Sequence, residues 1–255
     1  MKAIILAAGT ASRLRPLTDS TPKCLLKIGG RSLLQRSIDA LTANGISQLV
    51  IVTGYLHEQI ESFVGRQYPG LKVTYIYNKE YSTTNNIYSL WLARPEADGE
   101  DVLLLDSDLL YDPAILSRVM ASSHSNVLTL TKHPLGEEEM KVVTDDQGSI
   151  LEISKTCNPA LAAGESLGIE RMNKSYTTAL YRELAIMIGQ EGLSNIFYER
   201  AFERLIPQGH TFRVLDVSDL FSCELDTVED FENASQKIPA TPRKIEKLKN
   251  GKIEN

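Results

Sequence analysis

The sequence predicts an α/β protein built on a mostly parallel central sheet flanked by helices, and three observations carry that expectation. Short apolar runs at residues 3–6, 49–53, 73–78 and 102–105 are continuous rather than alternating, as in strands covered on both faces. Between them lie stretches in which apolar residues recur at helical spacing, the rhythm of right-handed crossovers. The first three runs end at Gly9, Gly54 and Asn78, and sheets of this kind take their ligands beyond the carboxyl ends of the strands.

The first strand feeds Ala7, Ala8, Gly9 and Thr10, whose small side chains leave backbone N–H groups unshielded in a concavity that suits an anion. Between residues 10 and 31 the basic residues Arg13, Arg15, Lys23, Lys27 and Arg31 face a single acid, Asp19, although the chain as a whole carries a formal charge of -6. Neither GxxxxGK[ST] nor GxGxxG occurs, which disfavours P-loop NTPases and dinucleotide oxidoreductases. Residues 32–44 form a helix with Leu33, Leu34, Ile38 and Leu41 inward, Ser32 as N-cap and Gly45 past its end. A short helix with Ile60, Phe63 and Val64 inward separates the second strand from the third.

Further on, residues 81–93 form a helix capped near Thr84, Asn85 and Asn86, whose amides offer donors and acceptors suited to a base edge. The run DVLLLDSDLLYD is a buried strand ending in Asp106 and Asp108, alternate residues that point the same way and can converge on a cation. A helix at 113–122 and a strand at 126–132 precede two strands flanking DDQG, a hairpin that is not expected to belong to the parallel core and is expected to build the acceptor side of the cleft. Residues 166–172 form a strand, and helices over 176–188 and 196–205 carry Leu180, Leu184, Ile188, Phe197 and Phe202 as core. A strand at 210–216 leads to Glu224 and Asp226, again two residues apart, ahead of a helix capped by Thr227 with Glu229 and Asp230 in its first turn.

The stretch LAAGTASRLRPLTDSTPKCLL resembles the LAAGxxSR…PKxLL signature of nucleotidyltransferases that make NDP-sugars and CDP-alcohols, and the resemblance extends over nearly all of residues 1–238. It implies a Rossmann-like nucleotidyltransferase fold, in which the loop Leu6, Ala7, Ala8, Gly9 and Thr10 wraps the triphosphate of an NTP and Arg13 and Lys23 act catalytically on its phosphates. Thr10 and Ala11 stand where many relatives have glycine. Gly54, Asn78, Asn86, Ser89 and Asp106 fall on the nucleotide side, the Asn-rich stretch ending in YSL being similar to one that holds cytosine in the branch activating phosphocholine and related compounds. The resemblance places Mg²⁺ on Asp108, which follows the strand by one small residue, and on Glu224 and Asp226 of an E[IL]DT[PV]ED segment. Lys141 and Lys155 match a region where relatives bind the acceptor's phosphate, and Tyr176, with Tyr55, Tyr88 and Trp91, is a candidate wall for a quaternary ammonium.

The implied reaction is attack of an acceptor phosphate or phosphonate on the α-phosphorus of CTP with loss of pyrophosphate. A phosphate monoester has its second pKa near ~6, so no general base is needed and the protein must supply fixed positive charge. Phosphocholine is the first expected acceptor and 2-aminoethylphosphonate the second. The alternatives are an NDP-sugar pyrophosphorylase using dTTP or UTP, and a regulatory nucleotide-sensing subunit without chemistry.

With 255 residues, 42% of them hydrophobic, the chain is expected to form one domain over 1–238, with a nucleotide-binding half at 1–112 and an acceptor-binding half at 113–238, followed by a basic tail or linker at 239–255. No apolar run reaches the ~18 residues of a membrane span, and Lys2 leads directly into a strand without a signal-peptide pattern, so a cytoplasmic protein is expected. Three widely spaced cysteines fit neither a disulfide framework nor a zinc site. The acidic balance argues against nucleic acid as a partner, and a homodimer is left open.

Overall fold

The computed structural model describes residues 1–238; the tail at 239–255 lies outside the described residues. The chain opens with β1 (Lys2–Ala7), the single helical turns Ser12–Leu14 and Lys23–Leu25, and a minimal hairpin of β2 (Lys27–Ile28) and β3 (Arg31–Ser32). Helix α1 (Leu33–Ala43) leads to β4 (Gln48–Thr53), α2 (His57–Gln67) to β5 (Lys72–Tyr77), and α3 (Asn86–Leu92) with the one-turn α4 (Arg94–Ala97) to β6 (Val102–Asp106). Then come β7 (Leu109–Tyr111), α5 (Ala114–Ala121), β8 (Val127–Thr131), β9 (Lys141–Thr144), β10 (Ile150–Ser154) and β11 (Gly164–Met172). Helices α6 (Lys174–Gly189) and α7 (Glu199–Leu205), strands β12 (Arg213–Asp216) and β13 (Ser222–Glu224), and α8 (Val228–Lys237) complete the described chain.

The main sheet has nine strands, with the order β5–β4–β1–β6–β11–β9–β10 along one path and β8 and β12 branching from β11. Strands β5, β4, β1 and β6 are mutually parallel, with β1 between two parallel neighbours. Its alternating side chains therefore enter opposite faces. Ile4 and Leu6 join Leu90, Leu180 and Phe202 on one face, while Ala3, Ile5 and Ala7 join Leu34, Ile38, Ile60 and Leu116 on the other. Helices thus cover both faces, and the continuous apolar run of β1 is explained by its having no solvated side.

The DDQG hairpin forms as expected, with β9 antiparallel to β10 and outside the parallel strands, and it joins the main sheet through the antiparallel β11. The reason is the length of β11, which pairs with β6 through residues 169–172 and still has Gly164 and Glu165 free to pair with β9. Between these two stretches β11 bulges, at Gly168 with φ of 75°, and a Cβ there would lie 2.6 Å from Asp106 Oδ2. The strand bends directly beneath the end of β6.

A second, two-stranded sheet pairs β7 with β13 antiparallel, setting Glu224 opposite Leu109 and Cys223 opposite Leu110. Leu225 N–H donates to the Asp108 carbonyl at 3.2 Å, extending this clasp by one step. Asp108 and the 224–226 segment are neighbours because of that register. Among the described residues no helix is long and apolar enough to cross a membrane.

Candidate active site

A cavity of about 870 Å³ opens at the carboxyl ends of β1 and β6. Its floor is the loop Leu6, Ala7, Ala8, Gly9 and Thr10, and the space in front of Gly9 is open, with no atom within 4 Å of where a Cβ would stand. Ala11 takes the left-handed conformation, φ 47° and ψ 49°, and its carbonyl accepts from Thr18 Oγ1 at 2.9 Å. This is a turn that glycine would enter without strain, and here a buried threonine pins an alanine into it.

The turn delivers Arg13, and the next helical turn delivers Lys23. Lys23 Nζ donates to Asp108 Oδ2 at 2.8 Å and to Asp226 Oδ1 at 2.7 Å, while Arg13 Nη2 donates to Asp226 Oδ2 at 2.7 Å. Burial works against the Lys23 charge, but the two carboxylates outweigh it and raise the lysine's pKa. Burial also pushes Asp226 up, and Lys23 and Arg13 together hold it below the usual carboxylate range. Asp230 fixes the segment from behind, its Oδ2 accepting from Asp226 N–H at 3.2 Å and Thr227 N–H at 2.8 Å in a complete capping box.

Glu224 faces solvent within the cleft yet is enclosed by enough protein that burial, followed by Asp108, Glu165 and Asp226, pushes its carboxyl up to about 8. Asp108, Glu224 and Asp226 do not meet at one point: among the described residues no three His, Cys, Asp or Glu side chains are gathered closely enough to hold an ion. Lys23 stands between two of them. The donor set is nevertheless that of a hard cation: Asp108, Glu224 and Asp226 offer only carboxyl oxygens, and burial with the neighbouring acids pushes Glu224 up where a cation would bring it down, so their chemistry fits a divalent metal.

The start of α3 forms another wall. Asn86 and Ser89 line the cavity, and Asn86 Oδ1 accepts from Tyr198 N–H at 2.9 Å, leaving its Nδ2 without a hydrogen bond among the described residues. Asn78 also lines the cavity but is almost fully committed: Nδ2 donates to Ser89 Oγ at 3.1 Å and Thr84 Oγ1 at 3.2 Å, and Oδ1 accepts from Glu80 N–H at 2.9 Å. It orients Ser89. Asp106 lines the cavity as well, and its Oδ2 accepts from Tyr198 Oη at 3.1 Å. Lys155 also lines the cavity, its Nζ 4.7 Å from the Phe197 ring centroid and 3.2 Å from Glu138 Oε2.

Three expected site residues lie outside the cavity lining. Gly54 sits behind the loop, where a Cβ would be 2.5 Å from the Ala8 carbonyl oxygen; it serves close packing of β4 against the loop. Lys141 is buried, and its ammonium donates to the backbone carbonyls of Lys155 at 2.7 Å and Glu139 at 3.3 Å, which ties the two hairpin ends together. Tyr176 belongs to the core, its ring centroid 4.4 Å from that of Phe212, because α6 turns that face toward the sheet. Tyr55, Tyr88 and Trp91 do not line the cavity either.

Sequence reading missed Glu199 and Ser166, both lining the cavity and both more than nine-tenths buried. Glu199 falls three residues before Phe202 and six before Leu205, an acid in line with an apolar helical stripe. That is the signal that would have found it. Burial pushes its carboxyl up to about 7, against the lowering pull of its own backbone and of Lys155.

A parallel sheet that ends in a small-residue loop, with a lysine and an arginine held over carboxylates from the far end of the chain, defines the class: this is a nucleotidyltransferase. Residues 3–200 match the MobA-like NTP transferase domain, and the chain belongs to that family. It is 30% identical over 260 residues to CMP-5'-(3-aminopropyl)phosphonate synthase of Streptomyces rubellomurinus, a match covering 97% of this chain and 40% of that protein. The chain therefore spans well under half the length of that relative. It is 31% identical over 258 residues to a choline-phosphate cytidylyltransferase of Haemophilus influenzae, covering 96% of this chain and 99% of that one. A solved CTP:phosphocholine cytidylyltransferase from Streptococcus pneumoniae shares the fold, with a TM-score of 0.75 at 22% identity over 92% of this chain and 97% of that one.

Proposed function

We propose that the protein is a Mg²⁺-dependent cytidylyltransferase that moves CMP from CTP to a small phosphorylated or phosphonate acceptor and releases pyrophosphate. The observation that carries this reading is the placement of Lys23 and Arg13 at the rim of the loop, in one cavity with Asp108, Glu224 and Asp226. The similarity to enzymes that the relatives' names describe as cytidylyltransferases supports the choice of CTP.

In this reading the loop's N–H groups, Arg13 and Lys23 bind the triphosphate, and Asn86 Nδ2 and the Ser89 hydroxyl meet the cytosine edge. Lys155 holds the acceptor's anionic head. Both reactants are anions, so the residues lower the barrier by positioning and by charge that is already in place. A divalent ion held by Asp108, Glu224 and Asp226 would supply electrostatic shielding of the phosphates. Lys23 Nζ spends two of its three donors on Asp108 and Asp226, which leaves the third for a phosphate oxygen.

The test is pyrophosphate release from a panel of CTP, UTP, dTTP and GTP against phosphocholine, 2-aminoethylphosphonate and glucose 1-phosphate. Turnover of CTP with either amino-alcohol phosphate or phosphonate is expected. Turnover of dTTP or UTP with glucose 1-phosphate, and none of CTP with the other two, would overturn the reading.

A further inference from the structure

Beneath the acceptor side of the cavity lies a group of acids that no step above uses. Glu170 and Glu199 are both buried, at 0% and 6% exposure, and Glu170 Oε1 and Oε2 and Glu199 Oε2 have no hydrogen-bond partner among the described residues. Ser166 Oγ, also buried and in the cavity lining, has none either. The hydroxyls of Ser166 and Tyr198 come near enough to influence Glu170 but complete no hydrogen bond with it. Among the described residues neither Glu170 nor Glu199 has an ion-pair partner within 4.0 Å. The cation that Glu199 feels is Lys155, whose own contacts are Glu138 and the Phe197 ring.

Buried carboxyl oxygens without donors are costly, and a site that leaves them open is built for a ligand that brings donors. The cavity therefore presents a cation, Lys155, and an acid, Glu199, within electrostatic reach of each other on one wall. That pair complements a small zwitterion with an anionic head and a cationic tail. The tail must carry N–H groups, because an unpartnered carboxyl oxygen is satisfied by a hydrogen bond and a trimethylammonium has none to give. Among the described residues no aromatic cage for such a quaternary group is formed: Tyr81 and Phe197 are the only Tyr, Phe or Trp side chains in the lining, and Lys155 lies over Phe197.

We infer that Glu199, backed by Glu170 and Ser166, is the specificity residue that receives a primary or secondary ammonium on the acceptor, so that aminoalkyl phosphonates or phosphates are preferred over choline-type ones. The inference rests on the cytidylyl-transfer reading for the rest of the acceptor. It is tested by calorimetric titration of the full chain with 2-aminoethylphosphonate, ethylphosphonate and phosphocholine, each with and without saturating Mg²⁺ and a non-hydrolysable α,β-methylene CTP analogue, so that no turnover is required. The amine is expected to bind ~10- to 100-fold tighter than ethylphosphonate, the range of a hydrogen bond to a charged group. Glu199→Gln should erase that ratio while ethylphosphonate and nucleotide affinities stay within about twofold.

Equal affinity for the amine and ethylphosphonate, tightest binding of phosphocholine, no binding of the amine in either condition, or an unchanged ratio in Glu199→Gln would each overturn the inference. If Glu199→Gln fails to fold, Ser166→Ala supplies the second variant, and an unchanged amine preference there counts against it. Failure of the nucleotide analogue to bind, with amine selectivity intact, would instead overturn the transfer reading alone.

Discussion

The ammonium of Lys23 and the carboxylate of Asp226 lie 2.7 Å apart although 203 residues separate them in sequence. The same ammonium holds Asp108, so one side chain occupies the place between acids that a divalent ion would take. Removing it has two separable effects. Lys23→Ala should lower turnover by ~10²-fold or more, the usual loss when a preorganised electrostatic contact is deleted. In the absence of nucleotide the variant should also bind Mn²⁺ more tightly than the parent, and its melting temperature should recover on adding the ion. Calorimetry and thermal unfolding check this; weaker Mn²⁺ binding by the variant would show that Lys23 does not compete for those carboxylates.

Arg13 is 62% exposed, so its pair with Asp226 is a surface pair worth at most about 1 kcal/mol to the fold. Arg13→Ala is expected to melt within about 2 °C of the parent and to raise the KM for CTP roughly tenfold. Steady-state kinetics at saturating acceptor, with far-UV circular dichroism as the control, separate the two.

Gly54 bears on the nucleotide loop without touching the cavity. In Gly54→Ala the added methyl meets the Ala8 carbonyl at 2.5 Å and Tyr81 Cβ at 2.6 Å, so the loop must shift. Overpacking of this kind costs about 1–3 kcal/mol. Urea unfolding should report that loss, and fluorescence titration should report weaker CTP binding than in the parent; unchanged CTP affinity would mean that the loop tolerates the displacement.

Glu199 makes stability depend on pH. Its folded-state pKa of about 7 exceeds the ordinary 4.5, so between those values the native state holds a proton that the unfolded chain has lost. Stability then falls as pH rises from about 4.5 to about 7 and changes no further above it on this account. Glu199→Gln should flatten that part of the profile and melt a few °C above the parent at pH 8, the gain vanishing near pH 4.5, with 1 kcal/mol worth about 2–4 °C in a domain of this size. Melting curves across that range check it, and a variant less stable than the parent at pH 8 would show that the ionised carboxylate is stabilised in the fold.

The parallel half of the fold is written plainly in the sequence because β1, β4 and β6 are buried on both faces and bounded by Gly or Asp, so period and burial agree. The loop after β1 is equally plain, since small residues and clustered basic charge have few other uses. What could not be read were relations set by tertiary packing. Nothing local in Lys141 says that its charge ends on backbone carbonyls, nor in Tyr176 that α6 turns it inward against Phe212. The DDQG strands were legible as a hairpin, but their attachment to the main sheet depends on how far β11 runs past β6. Glu199 carries no mark of burial of its own; its place is set by the stripe it shares with Phe202 and Leu205, which faces the core.

The clasp between β7 and β13 also sets when the protein can work during its own synthesis. The strand β1, its loop and Asp108 are translated before β13, and Glu224 and Asp226 follow Asp108 by more than a hundred residues. In a polypeptide that stops between Asp108 and Ser222, Lys23 keeps Asp108 but lacks Asp226, and Arg13 loses the carboxylate it pairs with, so the electrostatic latch of the folded domain stays half open.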